Sequence, residues 1–150
     1  MHFRSAVAAS LLGAVSLAAQ TELPEAPAKA TTLRICGSCH EIETVISSRR
    51  TKLGWRRITE EMVARGAEGS DEELQAIVDY LAEWFGKVNV NAASAAELEK
   101  ALGLAQKEAE AIVAYREQHG KYGSFEELLK TPGVDAEKLR QKRSLVAFSE

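Results

Sequence analysis

The sequence predicts an all-α fold made of two small helical units. Apolar residues recur at helical spacing, as in Leu74, Ile77, Val78, Leu81 and Phe85. Serines followed three residues later by glutamate form capping-box patterns, which mark helix starts. The 150 residues are 45% hydrophobic and 27% charged, a balance typical of globular proteins. A chain of this length has room for one ordinary domain or two very small ones.

The first residues predict export. Residues 1–19 place Arg4 before an uncharged run that ends in the small residues Ala18 and Ala19. This run is too short to span a bilayer comfortably, so we interpret it as a signal peptide, with an uncleaved membrane anchor as the alternative. The mature chain is then expected to be periplasmic or secreted and to carry no transmembrane segment. Residues 20–31, rich in Pro and Ala, are predicted to be a flexible spacer.

The first helical unit is predicted over residues 32–87. It contains three short helical patterns, of which the last begins at the Ser70 and Glu73 capping box and ends before Gly86. Three short helices bury little surface among themselves. A unit of this size usually needs a metal, a disulfide or a large cofactor to be stable.

The stretch "RICGSCHEI", residues 34–42, offers such a group. Cys36 and Cys39 are spaced to lie on one side of a helix, and His40 follows directly, which is the pattern of c-type haem attachment. A zinc site would lack a fourth ligand, a thioredoxin-like dithiol would lack its βαβ context, and a disulfide would close too small a loop to stabilise much. We therefore expect one covalent haem c, with His40 binding the iron.

Met62 is the candidate for the second axial ligand. The unit contains no other histidine, and Met62 follows Trp55 on the same apolar helical face. Ligation by His and Met favours electron transfer over oxygen chemistry, whereas an open position would allow a haem sensor or peroxidase. Arg49 and Arg50 are weaker candidates for pairing with the haem propionates, and Trp55 for a wall of the haem pocket.

The second helical unit is predicted over residues 88–150. It has two capping boxes, which begin at Ser94 and Ser124, and each opens a helix, a tight turn and a second helix. The unit also repeats itself at an offset of 30 residues. The repeated residues are Glu97, Leu98, Lys100 and Gly103 in one copy and Glu127, Leu128, Lys130 and Gly133 in the other.

Both units resemble known families. The "CGSCHEI" motif, Trp55, Met62 and the terminal "YLAEWFG" make residues 32–87 similar to small class I-like c-type cytochrome domains of bacterial periplasmic electron carriers. The resemblance implies a compact cytochrome c-like fold and single-electron transfer without an enzymatic step. It also implies a redox partner protein, such as a periplasmic dehydrogenase or oxidase.

The "VNVNAAS", "AEAIVAYREQHGKYGSFEELL" and "PGVDAEKL" stretches make residues 88–148 resemble the tandem helix-hairpin-helix domain of bacterial competence proteins of the DNA-uptake type. The resemblance implies that the hairpin glycines, here Gly103 and Gly133, let backbone N–H groups approach DNA phosphates. The second glycine of each hairpin is replaced, by Ala105 and by Asp135.

Charge leaves two functions open. Residues 87–150 hold 10 Lys or Arg and 10 Asp or Glu, so the second unit lacks the basic excess of a typical nucleic-acid-binding protein. One basic run remains as a candidate for DNA or partner contacts, and it consists of Lys138, Arg140, Lys142 and Arg143.

The main prediction is an exported monohaem electron carrier with a helix-hairpin-helix docking module, and the alternative is a DNA-binding or DNA-uptake protein.

Overall fold

The computed structural model describes residues 22–150, and the predicted signal peptide lies outside them. The described chain is mostly helical, as the sequence predicts. The first unit contains α1 (Lys29–Cys36), α2 (Ile42–Ile46), α3 (Lys52–Ala64) and α4 (Asp71–Trp84). The second contains β1 (Val88–Asn89), α5 (Ala95–Leu102), α6 (Gln106–His119), α7 (Phe125–Leu128), α8 (Ala136–Gln141), a 3₁₀ turn (Arg143–Leu145) and β2 (Val146–Ala147).

The predicted capping boxes form. At the start of α4, Glu73 N donates to the Ser70 hydroxyl at 3.3 Å and Ser70 N donates back to Glu73 Oε2 at 3.0 Å. The same pair of bonds starts α5. The box at α7 is only half formed, because its glutamate side chain accepts from Gly123 N instead of from the capping serine. These caps fix where the helices begin.

The first unit packs around Trp55, which is 1% exposed. Its indole Nε1 donates to Phe85 O at 3.1 Å, so the one polar atom of the ring has a partner. Part of the predicted spacer also packs here, because Leu23 is buried and Pro24 O accepts from Tyr80 Oη at 2.8 Å. Ordered structure therefore begins before residue 32, and α1 starts at Lys29.

The second unit has its own core, with Leu98 and Leu128 fully buried at equivalent positions of the two repeats. The chain enters along β1 and ends along β2, which pair in parallel with Val88 opposite Val146. Buried Tyr122 Oη lies 2.9 Å from the hydroxyl of Thr131, so this polar pair is satisfied inside the core. The predicted repeat is thus confirmed as two helical hairpins around one core.

The junction between the units is hydrogen-bonded. Arg50 N donates to Phe85 O at 3.3 Å, and Lys87 N donates to Arg50 O at 2.8 Å. Val88 then begins β1, so the chain passes directly from contacts with the first unit into the second.

Within the described residues, none of the helices combines the length and the apolar character needed to cross a membrane.

Candidate functional site

The first candidate site is an apolar cavity of about 290 Å³ in the first unit. Besides Arg50, it gathers five of the residues singled out from the sequence. Cys36 is the last residue of α1, while Cys39 and His40 lie in the exposed turn that follows, which His40 N closes by donating to Cys36 O at 3.3 Å. The five residues are Cys36, Cys39, His40, Trp55 and Met62.

The charged and thiol groups of the cavity have distinct surroundings. Burial raises the pKa of the Cys36 thiol, which favours its neutral form. Arg50 also lines the cavity, with its guanidinium 5.8 Å from the centre of the Trp55 ring. Arg49 does not line it, and its Nη1 instead donates to Trp84 O at 3.2 Å. The structure therefore separates the two arginines that the sequence places together.

The second candidate site is formed by the two hairpins of the second unit. Gly103 ends α5 with φ of 66°, and Gly133 has φ of 82°, a backbone region that favours glycine. A Cβ atom at either glycine would meet no other atom within 4 Å. Both turns are therefore open to solvent on the side where a side chain would project.

The two hairpins differ at the helix that follows each glycine. Asp135 caps α8, and its Oδ1 accepts from Glu137 N at 2.9 Å and from Lys138 N at 3.1 Å. Ala105, at the equivalent position before α6, has no side chain that could do this. The hydrogen bonds found within residues 22–150 include none from the N–H groups of Gln106 and Lys107. Among the described residues, the first hairpin thus presents two backbone donors without an acceptor.

Glu108 connects the hairpins, and no motif in the sequence singled it out. Its Oε2 accepts from Ala105 N at 2.8 Å and pairs with Lys138 Nζ at 2.7 Å, while its Oε1 accepts from Asp135 N at 3.0 Å. The Lys138 ammonium first, and then the two backbone N–H groups, hold the pKa of this carboxyl at about 2. The 30-residue offset could have revealed it, because position 108 of one repeat corresponds to position 138 of the other.

Most of the predicted basic run is paired with carboxylates. Besides Lys138, Arg140 contacts Glu137 at 3.1 Å and Arg143 contacts Glu126 at 3.4 Å. The side chains of the Arg140 and Arg143 pairs are more than half exposed, so each pair contributes little to stability. Another anion can therefore displace the carboxylate from either arginine.

Comparison with known proteins supports the second site. Residues 85–147 match the model of the helix-hairpin-helix motif family. The chain is 43% identical over 63 residues to an uncharacterized protein of Haemophilus influenzae. It is 34% identical over 59 residues to ComE operon protein 1 of Bacillus subtilis, and 41% identical over 64 residues to endonuclease/exonuclease/phosphatase family domain-containing protein 1 of Rattus norvegicus.

These matches cover only part of each protein. They span 41%, 39% and 43% of this chain, and 56%, 29% and 11% of the Haemophilus, Bacillus and Rattus proteins respectively. A search of the solved structures found no match. The geometry and the family match together show that residues 85–147 form a helix-hairpin-helix domain.

The same findings correct the main functional prediction. The helix-hairpin-helix match over residues 85–147 and the similarity to ComE operon protein 1 favour the DNA-binding alternative over a haem electron carrier. Among residues 22–150, no group of three or more His, Cys, Asp or Glu side chains is placed to hold a metal ion. The predictions of a haem c cofactor and of electron transfer are therefore wrong, and the expected redox partner loses its support. The roles given to His40 and Met62 as iron ligands depended on that haem. In physical terms, α1 ends at Cys36, so Cys39 and His40 do not continue the helical face on which that prediction depended.

Proposed function

We propose that this protein binds duplex DNA through the sugar-phosphate backbone, using the hairpins of residues 85–147. The support is the family match, the similarity to ComE operon protein 1 and the resemblance to competence proteins of the DNA-uptake type. The observation that carries the proposal is the pair of open, left-handed glycine turns in a domain of this family. The proposal assigns no catalytic step to the chain.

The first hairpin has the chemistry of a phosphate contact. Because Gly103 lacks a Cβ on its open side, a phosphate can approach the backbone closely. The N–H groups of Gln106 and Lys107 begin the 14-residue helix α6, whose dipole places positive potential at this end. The ammonium of exposed Lys107 adds a mobile positive charge. Backbone contacts of this kind position DNA without reading its sequence.

The charge of the domain sets the expected strength. With 10 basic and 10 acidic residues over 87–150, the domain has no long-range attraction for a polyanion. Binding is therefore expected to be weak, independent of base sequence and confined to a few phosphates. Arg140, Lys142 and Arg143 can add contacts if DNA displaces the carboxylates that now pair with two of them.

We also propose that the protein works outside the cytoplasm. The support is the signal peptide predicted at residues 1–19, together with the similarity to ComE operon protein 1. DNA met in that compartment would come from outside the cell, so a backbone contact without sequence preference would suit a role in DNA uptake.

The test is binding of a fluorescent duplex by the full mature chain, by anisotropy, from about 20 to 200 mM salt. We expect binding at low salt that falls linearly in log K against log salt, with a slope of about −0.9 for each phosphate contacted. Gly103→Ala should weaken binding about tenfold or more, because its Cβ would lie between the backbone and the phosphate.

Gly120→Ala is the matched control. Gly120 also has a positive φ, of 91°, and open space where a Cβ would project, but it lies at the far end of α6. Both substitutions strain the backbone, so only a loss specific to Gly103→Ala reports DNA contact. Absence of binding by the unaltered chain at about 20 mM salt, where backbone contacts are strongest, would refute the proposal.

A further inference from the structure

Glu108 and Lys138 occupy the same position in the two repeats, 30 residues apart, and carry opposite charges. They pair with each other across the repeat at 2.7 Å. The Glu108 side chain is only 12% exposed, against 65% or more for the glutamates that pair with Arg140 and Arg143. The Glu108 carboxylate is therefore more shielded from solvent than those two glutamates, while the Lys138 side chain remains 37% exposed.

The Glu108 carboxylate also contacts both turns. It accepts from Ala105 N in its own hairpin and from Asp135 N in the other. These two residues are again equivalent positions of the repeat, each two residues after the hairpin glycine. One carboxylate thus binds matching N–H groups of both hairpins and the ammonium of the second, and fixes one hairpin relative to the other.

From this arrangement we propose that Glu108 is a positioning residue for DNA binding. It locks the two hairpins into one rigid unit, and Lys138 serves this lock instead of contacting phosphate. The inference rests on the proposed function, which it extends by dividing the roles. The first hairpin, with Gln106 and Lys107, contacts the phosphate, and the second anchors it.

The sign of the effect distinguishes this inference from simple electrostatics. A carboxylate near a phosphate repels it, so removing the charge of Glu108 should strengthen binding if repulsion were its only effect. If Glu108 positions the hairpins, removing its charge should weaken binding, because the two hairpins lose their common acceptor.

The first experiment compares Glu108→Gln with Glu117→Gln in the full chain, at a temperature where thermal unfolding shows both to be folded. Glu117 is an exposed residue of the same helix, so its substitution removes the same charge without disturbing the lock. We expect Glu108→Gln to weaken duplex binding roughly five- to tenfold. Glu117→Gln should leave binding unchanged or slightly stronger. Binding by Glu108→Gln as tight as by Glu117→Gln would overturn the inference.

The second experiment uses the salt dependence, which a purely structural role would not change. Lys107→Met should reduce the magnitude of the log K against log salt slope by about 0.9, because it removes a phosphate contact. Lys138→Met should weaken binding and leave the slope unchanged. A reduction of about 0.9 for Lys138→Met would identify it as a phosphate contact and overturn the assignment.

Hydrogen exchange tests, without DNA, whether the Glu108 carboxylate holds the amides of both hairpins. In the free protein, the amides of Ala105 and Asp135 should be protected, and Glu108→Gln should accelerate the exchange of both. If the unaltered chain binds no duplex, the proposed function fails and this inference fails with it. If it binds duplex and the two amides exchange equally fast in both proteins, the inference alone fails.

Discussion

Glu108 should also make the stability of the helix-hairpin-helix domain depend on pH in acid. The fall of its pKa from 4.5 to about 2 corresponds to at most about 3.4 kcal/mol of stability. Lys138 is 37% exposed, so solvent screens part of the ion pair, and we expect about 1–2 kcal/mol in practice. Glu108→Gln should lose this amount at neutral pH.

The direction follows from the depressed pKa. A carboxyl that is more acidic in the folded state stabilises fully above its unfolded pKa of 4.5 and stops contributing as the pH falls through its folded pKa of about 2. The difference in unfolding free energy between the unaltered chain and Glu108→Gln should therefore be constant from pH 7 to about 5 and disappear near pH 2.

The assay is urea unfolding at several pH values, followed by far-ultraviolet circular dichroism. The two tryptophans, Trp55 and Trp84, both lie in the first unit, so their fluorescence provides an internal control that Glu108→Gln should leave unchanged. A stability difference that stays constant down to pH 2 would refute the reasoning, because the lost contribution would then not depend on the ionised carboxylate.

Two further predictions concern stability. Trp55→Phe should cost about 2–3 kcal/mol in urea unfolding, because it leaves a cavity and removes the donor to Phe85 O, while Trp84→Phe at a 42% exposed position should change stability by less than about 0.5 kcal/mol. Equal effects would contradict the burial of Trp55. Asp135→Ala should lower the free energy of unfolding by about 0.5–2 kcal/mol, measured by thermal unfolding, because α8 loses its cap. The control, Glu137→Gln at an exposed position, should lower it by less than about 0.5 kcal/mol. An Asp135→Ala protein as stable as the unaltered chain would show that the cap is dispensable.

The sequence was most informative where a local rule decides the structure. The Ser70 and Ser94 caps were predictable because the side chain and its backbone partner are three residues apart. The repeat predicted Gly103 and Gly133 as turn residues, because a left-handed turn favours glycine. By contrast, the packing of buried Leu23 and the bond from Tyr80 Oη to Pro24 O depend on residues distant in sequence, so the Pro- and Ala-rich composition indicated a spacer instead.

The candidate sites show the same limit. The cavity gathers Cys36, His40 and Met62 as their spacing suggested, yet the grouping of residues did not identify the function. Glu108 was missed because Ala105 carries no capping side chain, so no Ser or Thr pattern marked the start of α6. Its role depends on Asp135 and Lys138, which only folding brings close.

The junction between the units has a consequence for how the protein would act as a whole. The backbone of Arg50 hydrogen-bonds to Phe85 and to Lys87, on either side of Gly86, and β1 starts at Val88. The connection between the units is therefore too short to act as a flexible linker. A flexibly tethered domain samples many orientations relative to its neighbour, whereas a domain joined through such a short connection keeps one orientation. If DNA binds to the hairpins as proposed, it would therefore approach the first unit at a defined distance and angle.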